Sequence, residues 1–150
     1  MRPMKIRDAS ARDGAIIADI SRIARMRAMP WLPVKHTPDE TVAFYAEQVL
    51  PFETVLICEH RGAIAGFAAF ADDWLNHLYV RPDFWDSGAG SALLTDVQSR
   101  LDHIQLWTFQ KNEAARRFYR RHGFDEAEFT DGSRNEEHEP DVRMVWHRAC

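Results

Sequence analysis

The chain has 150 residues, of which 45% are hydrophobic and 28% charged, and its formal net charge at pH 7 is −4. This length fits one domain, residues 1–150, with a core of its own, and the acidic balance argues against a nucleic-acid binder, which needs a net basic surface. Of the 2 cysteines, Cys58 lies in an apolar run and Cys150 at the chain end, so they make neither a disulfide framework nor a metal site. No window reaches the roughly 18 uninterrupted apolar residues of a membrane span, and Met1 to Arg7 lacks a signal peptide's apolar stretch. The expectation is a metal-free, cytoplasmic protein without membrane contact.

Met4 to Arg7 reads as a short first strand. Ser10-Ala11-Arg12-Asp13 offers a capping-box-like start to a helix with Ile16, Ile20, Ile23 and Ala24 on one apolar side. Met29-Pro30-Trp31-Leu32-Pro33 breaks that helix. A second is predicted from Thr37-Pro38-Asp39-Glu40 to about Val49, with Thr at the N-cap, Pro at the first position and Glu reaching back. Thr54 to Glu59 and Ala63 to Ala71 form a predicted hairpin across His60-Arg61-Gly62, and Asp72-Asp73 turns the chain into a strand ending at Val80. A glycine turn then opens a helix reaching about Asp102, followed by a strand from Ile104 to Phe109 and a helix from Asn112. A strand from Phe124 to Phe129, a polar loop and a last strand from Val142 to Trp146 complete the chain. With no internal repeat and no linker, the pattern is a single mixed α/β sheet with helices on both faces.

The glycine turn, Trp85-Asp86-Ser87-Gly88-Ala89-Gly90-Ser91, is the most informative stretch. A helix's first turn leaves backbone N–H groups without intrahelical partners and adds partial positive charge, so phosphate oxygens can be held by main chain alone. Gly88 and Gly90 lack the Cβ atoms that would keep a diphosphate from that backbone. A tight strand-to-helix connection without a ligand is the plainer reading of two glycines alone. The needed Gly-x-Gly-x-x-Gly of a dinucleotide site is absent.

Downstream, Asn112, Ala115 and Tyr119 fall at i, i+3 and i+7 of one helix, which puts the amide and the phenol on one face. The same helix carries Lys111, Arg116, Arg117, Arg120 and Arg121 against Glu113, whereas Asp125 to Asp141 is strongly acidic. The basic cluster suits either a solvated helix face or contact with phosphates.

Together the turn and the later run Asn112 to Phe124, which ends in Gly123-Phe124, resemble the GNAT (general-control-related N-acetyltransferase) superfamily. That family's loop has the form Gln/Arg-x-x-Gly-x-Gly/Ala before a helix, and a later helix bearing Asn, Ala and Phe-Tyr. The resemblance spans about Met4 to Trp146, and Trp85 stands where the family has Gln or Arg. It implies the N-acyltransferase fold, with strands Trp74–Val80 and Ile104–Phe109 splayed around acetyl-CoA as co-substrate. It further implies transfer of the acetyl group to a primary amine of a small molecule or peptide, by direct attack.

Under that resemblance, the backbone of Leu78, Tyr79 and Val80 bonds pantetheine and the acetyl carbonyl. Residues 85–91 hold the diphosphate, helped by Asn112 and Ala115, and Tyr119 acts as general acid. For the general base, alternation along the strand puts Asp72, Trp74, Asn76 and Leu78 on one side and Asp73, His77 and Tyr79 on the other. Asp72 is the first choice and His77 the second. The segment Trp31 to Thr37 and the acidic loop Asn135 to Asp141 are the expected substrate-selecting parts, with Trp31, His36, Asn76, Asn135 and Glu136 as contacts, and the acids would suit a cationic amine. A homodimer is left open. A noncatalytic acyl-CoA-binding module on the same fold is the alternative, resting on Trp85 and the lack of an unambiguous base.

Overall fold

A computed structural model describes residues 4–149; residues 1–3 and Cys150, on which part of the N-terminal and terminal-cysteine readings rest, lie outside it. The 7-stranded sheet has the order β1-β2-β3-β4-β5-β7-β6. Its strands are β1 (Lys5–Asp8), β2 (Thr54–His60), β3 (Ala63–Ala71), β4 (Trp74–Val80), β5 (His103–Phe109), β6 (Asp125–Phe129) and β7 (Asp141–His147). Neighbours are antiparallel except β4 and β5, which are parallel and share a single pairing, Trp74 with Gln105. Beyond that point the two strands part. The root of the gap is tied by the Gln105 N–H to the Asp73 carbonyl at 2.7 Å and by Asp73 Oδ2 accepting from Gln105 Nε2 at 3.0 Å.

Helices cover both faces. On one, α1 (Gly14–Ala28) and the π-helical turn Tyr45–Val49 that prolongs α2 (Pro38–Phe44) bury Ile17, Ile20, Tyr45 and Val49 against Ile57, Phe67 and Ala69. On the other, α3 (Ala89–Arg100) seats Leu93, Leu94 and Val97 on Leu56, Ala68, Leu75 and Ile104, while Phe118 and Tyr119 of α4 (Glu113–Arg121) pack at its margin. Each such fully buried side chain contributes about 1.5–3 kcal/mol. The start of α2 follows its local signal: the Glu40 N–H donates to Thr37 Oγ1 at 3.1 Å and the Thr37 N–H to Glu40 Oε1 at 2.8 Å.

Two expectations need correction. The buried side of α1 runs through Ile17, Ala18, Ile20, Ser21 and Ala24, leaving Ile16 47% and Ile23 41% exposed. Ile20 and Ala24 are buried as expected, while Ile17, Ala18 and Ser21 take the inward places expected of Ile16 and Ile23. In β4, Ala69 opposes His77 but Phe70 opposes Leu75, so Asn76 is an extra residue in a β-bulge. Strict alternation fails there. Leu75, Leu78 and Val80 all turn to the α3 face, and Tyr79 packs on the α1 side.

Candidate active site

The turn after β4 is built around its main chain. Pro82–Phe84 form a short 3₁₀ turn, Asp86 sits at φ 63°, and Gly88, the residue before α3, sits at φ 94°, a conformation only glycine adopts without strain. Ser87 Oγ accepts the Ala89 N–H at 3.3 Å. The following first-turn amides, Gly90 and Ser91, have no intrahelical acceptor and point out of the helix end. Asp86, Ser87 and Gly88 are exposed. This geometry suits an anion. At Gly90 a Cβ would lie 3.4 Å from the Phe118 ring, in ordinary contact with α4.

Trp85 Nε1–H donates to the Val80 carbonyl at 2.8 Å, fastening the turn back on the end of β4. The next N–H, that of Arg81, donates to Ala65 on β3 at 2.8 Å. Because main-chain groups alternate between neighbours, Tyr79 spends its own on β3, and those of Leu78 and Val80 face the gap toward β5. Within the expected triplet, then, Tyr79 contributes a side chain rather than backbone.

Asn112 caps α4: its Oδ1 accepts the Ala115 N–H at 3.2 Å, so both residues secure the helix that carries Tyr119. Tyr119 packs on Phe118 and Phe124, with ring centroids 5.3 and 5.5 Å away. Burial, with the Tyr79 phenol nearby adding to it, holds its hydroxyl well above the ordinary phenol range. Part of the basic cluster on α4 is neutralised within the chain, since Arg116 and Arg120 clamp Glu126 at 2.6 and 2.7 Å.

On the α1 side of β4 lies a cleft of about 280 Å³, bounded by α1, the segment 29–36, α2, His77, Tyr79, Glu136 and Glu137. His77 is boxed by Phe44, Tyr45 and Tyr79, and its Nδ1 lies 3.4 Å from Tyr45 Oη. Burial, reinforced by the Arg25 charge, pushes its imidazole down to about 4, so it is neutral near pH 7. Arg25 donates to Tyr79 Oη at 3.3 Å and to Glu137 Oε2 at 3.2 Å. Glu137 lies in the acidic loop that the sequence marked, but Arg25 was not marked, and the two are far apart along the chain and meet only through the fold.

The other expected residues divide. His36 and Glu136 meet at the rim of the cleft, Nε2 to Oε1 at 2.8 Å. Asp72 does not reach it: exposed at φ 53°, it turns the β3–β4 hairpin at the end of β4 opposite the glycine turn. Asn76, on the bulge, donates to Glu53 Oε1 at 3.0 Å and is exposed. Asn135 braces its own loop through the Glu139 carbonyl at 2.8 Å and lines a separate depression with Trp107 and Thr130. Trp31 stands edge-on to Phe109 with centroids 6.2 Å apart, under Lys111, and so ties the segment after α1 to the far end of β5. The acids in the cleft are also less available than their number suggests, because Glu136 and Glu137 already face His36 and Arg25.

The comparisons agree with this architecture. Residues 51–126 match the model of the acetyltransferase (GNAT) domain. The peptidyl-lysine N-acetyltransferase YiaC of Escherichia coli K12 is 35% identical over 69 residues, 45% of this chain and 47% of that protein. The L-amino acid N-acyltransferase MnaT of the same organism is 32% identical over 102 residues, 61% of this chain and 59% of its own. The chain thus spans about half the length of these curated relatives. The structure of YncA from Salmonella typhimurium, solved with its cofactor acetyl-CoA, superposes with a TM-score of 0.72 at 22% identity, covering 99% of this chain and 98% of that one. With the parted strands, the anion-ready helix end and the family model over half its length, this chain belongs to the GNAT acetyltransferase family.

Proposed function

We propose that the protein transfers an acetyl group from acetyl-CoA to a primary amine. The observation that carries this reading is the gap between β4 and β5, whose mouth lies beside the free N-terminal amides of α3. A coenzyme with a diphosphate and a peptide-like arm fits both parts. The amides of Gly90 and Ser91 hold the diphosphate, and the main chain of Leu78 and Val80 bonds the pantetheine amides as an added strand would.

The chemistry assigned to the chain is limited to proton handling and positioning. As the amine nitrogen bonds to the thioester carbonyl carbon and the C–S bond breaks, Tyr119 donates its proton to the leaving sulfur. The Leu78 and Val80 amides stabilise the carbonyl oxygen. His77 is too weak a base to strip an ammonium. With the imidazole at about 4 and a lysine-like amine near 10.4, that transfer is uphill by roughly 9 kcal/mol. The amine therefore loses its first proton to solvent before attack. His77 with Tyr45 then accepts a hydrogen bond from the attacking nitrogen, whose second proton passes to solvent as the amide forms, and Tyr119 regains its proton from solvent.

The test is free-thiol release from acetyl-CoA with a panel of amines, alongside calorimetry with CoA and acetyl-CoA. Coenzyme binding with amine-dependent thiol release is the expected result. Tight binding without release from any amine would favour a noncatalytic coenzyme-binding module, and no binding at all would end the proposal.

A further inference from the structure

The single pairing between β4 and β5 separates the two halves of the proposed chemistry. β4 carries the Leu78 and Val80 amides and runs into the turn that opens α3, whereas β5 leads into α4 and so carries Tyr119. One pairing fixes where two strands meet. It does not fix the angle at which they part, and here that angle has a side-chain clamp on each face of the sheet. On the α3 face, Leu75 and Ile104 share the apolar core beneath α3. On the other face lies Gln105, because it sits between the buried Ile104 and Leu106 and side chains alternate along a strand.

The Gln105 amide is held at both ends. Its Nε2 donates to Asp73 Oδ2 at 3.0 Å, and its Oε1 accepts from Arg143 Nη1 at 2.7 Å. A carboxylate only accepts and a guanidinium only donates, so one orientation of the amide satisfies both partners. The row continues on either side: Arg143 Nε donates to Glu128 Oε1 at 2.9 Å, and Asp73 Oδ2 lies 2.9 Å from His103 Nδ1, whose ring stacks on His147 with centroids 4.3 Å apart. A polar ladder thus runs from the residue before β4 across β5 and β7 to β6. None of its side chains lines the cleft against His77.

Resting on the acetyltransferase reading above, we propose that Gln105 is a positioning residue: it sets the angle between β4 and β5, and with it the distance from the Leu78 amide to Tyr119. Leu78 is four residues beyond Trp74, about 13 Å at the rise of a strand, so a rotation of about 5° at the root displaces its amide by about 1 Å. A misplacement of that size costs up to about 10²-fold in rate. The diphosphate contacts are spared, since β4, its turn and α3 lie on the same side of the hinge.

The experiment measures kcat and the CoA dissociation constant for the wild type, for Gln105→Glu, and for Gln105→Glu combined with Asp73→Asn. Thiol release is read on the full chain at saturating acetyl-CoA with phenethylamine, 1,5-diaminopentane and a lysine-containing peptide, and calorimetry reads CoA. Gln105→Glu keeps the size and the Arg143 contact but sets two carboxylates against each other, so kcat should fall about 10- to 100-fold while CoA affinity stays within about threefold. The double substitution exchanges amide for carboxylate and restores a donor between positions 73 and 105, so kcat should return to within about fivefold of the wild type. Should Gln105→Glu fail to fold, Gln105→Met, which removes both bonds without adding charge, should show the same loss of kcat at unchanged CoA affinity. A kcat within about threefold of the wild type in the folded single variant, no recovery in the double, or a loss of kcat matched by a loss of CoA binding would each overturn the assignment. A wild type that binds no CoA, or releases no thiol with any of these amines, would instead overturn the acetyltransferase reading beneath it.

Discussion

The Trp85 indole N–H reaches the Val80 carbonyl at 2.8 Å, closing the turn between β4 and α3 with a side chain. The bond fixes the end of β4 and the path of the turn that presents the α3 amides. Trp85→Phe retains the ring and removes the donor. A hydrogen bond of this kind contributes about 0.5–1.5 kcal/mol, so coenzyme affinity should fall by roughly 2- to 12-fold, with secondary structure unchanged. Titration calorimetry with CoA reads this directly.

Gly88 holds φ 94°, and a Cβ there would meet nothing closer than the Met4 Cε at 4.0 Å. Space is not what demands glycine; the left-handed backbone is. Gly88→Ala should cost about 1–2 kcal/mol, either as lost stability or as a shifted turn that weakens the coenzyme by a similar factor. Gly88→Val, with a branched side chain, should be worse on both counts. Thermal melts with and without CoA separate the two effects.

Local signals made the helix starts, the hairpin and the anion-ready turn legible. The Thr37–Glu40 capping box and the glycine turn depend on residues a few positions apart, and each formed where its residues predict. What the sequence concealed involves partners distant along the chain or a break in a period. The bulge at Asn76 redirects β4 and is invisible to strict alternation, which is why Asn76 turned up against Glu53 and not in the cleft. Asp72 carries the signature of a catalytic carboxylate and of a turn residue alike, and its positive φ decides for the turn. The Arg25–Glu137 contact joins α1 to the loop before β7, and no spacing rule couples two such positions.

Two buried ionisable groups give acid sensitivity in separate windows. His77 falls to about 4 in the folded chain from an ordinary 6.5. The unfolded chain therefore binds its proton first, and stability present above pH 6.5 is lost as pH falls toward 4, by up to about 3 kcal/mol. His77→Gln should flatten that window in urea melts at pH 7.5 and 4.5.

Asp13 acts lower. Hydrogen bonds from Arg7, at 3.0 and 3.1 Å, and from the Ser10 N–H at 2.7 Å pull its carboxyl down to about 2 from 3.8. Its contribution is whole above pH 3.8 and disappears as pH drops through 2, a loss of about 2 kcal/mol. Asp13→Asn should remove this low-pH dependence and lower stability at neutral pH by the same amount, since the Arg7 guanidinium then loses its carboxylate. Melts of both chains between pH 2 and 6 provide the check.

In the proposed mechanism Tyr119 is the proton donor, and its removal tests that role. Its phenol is held protonated by burial, so it remains loaded as a proton donor across the physiological range. Tyr119→Phe keeps the ring that packs on Phe118 and Phe124 and deletes only the hydroxyl. Loss of a positioned general acid costs about 10²–10⁴ in rate, so kcat should fall by that factor while the dissociation constant for CoA stays within about threefold. The wild-type rate should show no falling alkaline limb from this group below about pH 10, because its proton leaves only above the ordinary phenol value. A kcat reduced by less than about tenfold, with the fold intact by circular dichroism, would mean that the thiolate takes its proton from water and that Tyr119 serves packing alone.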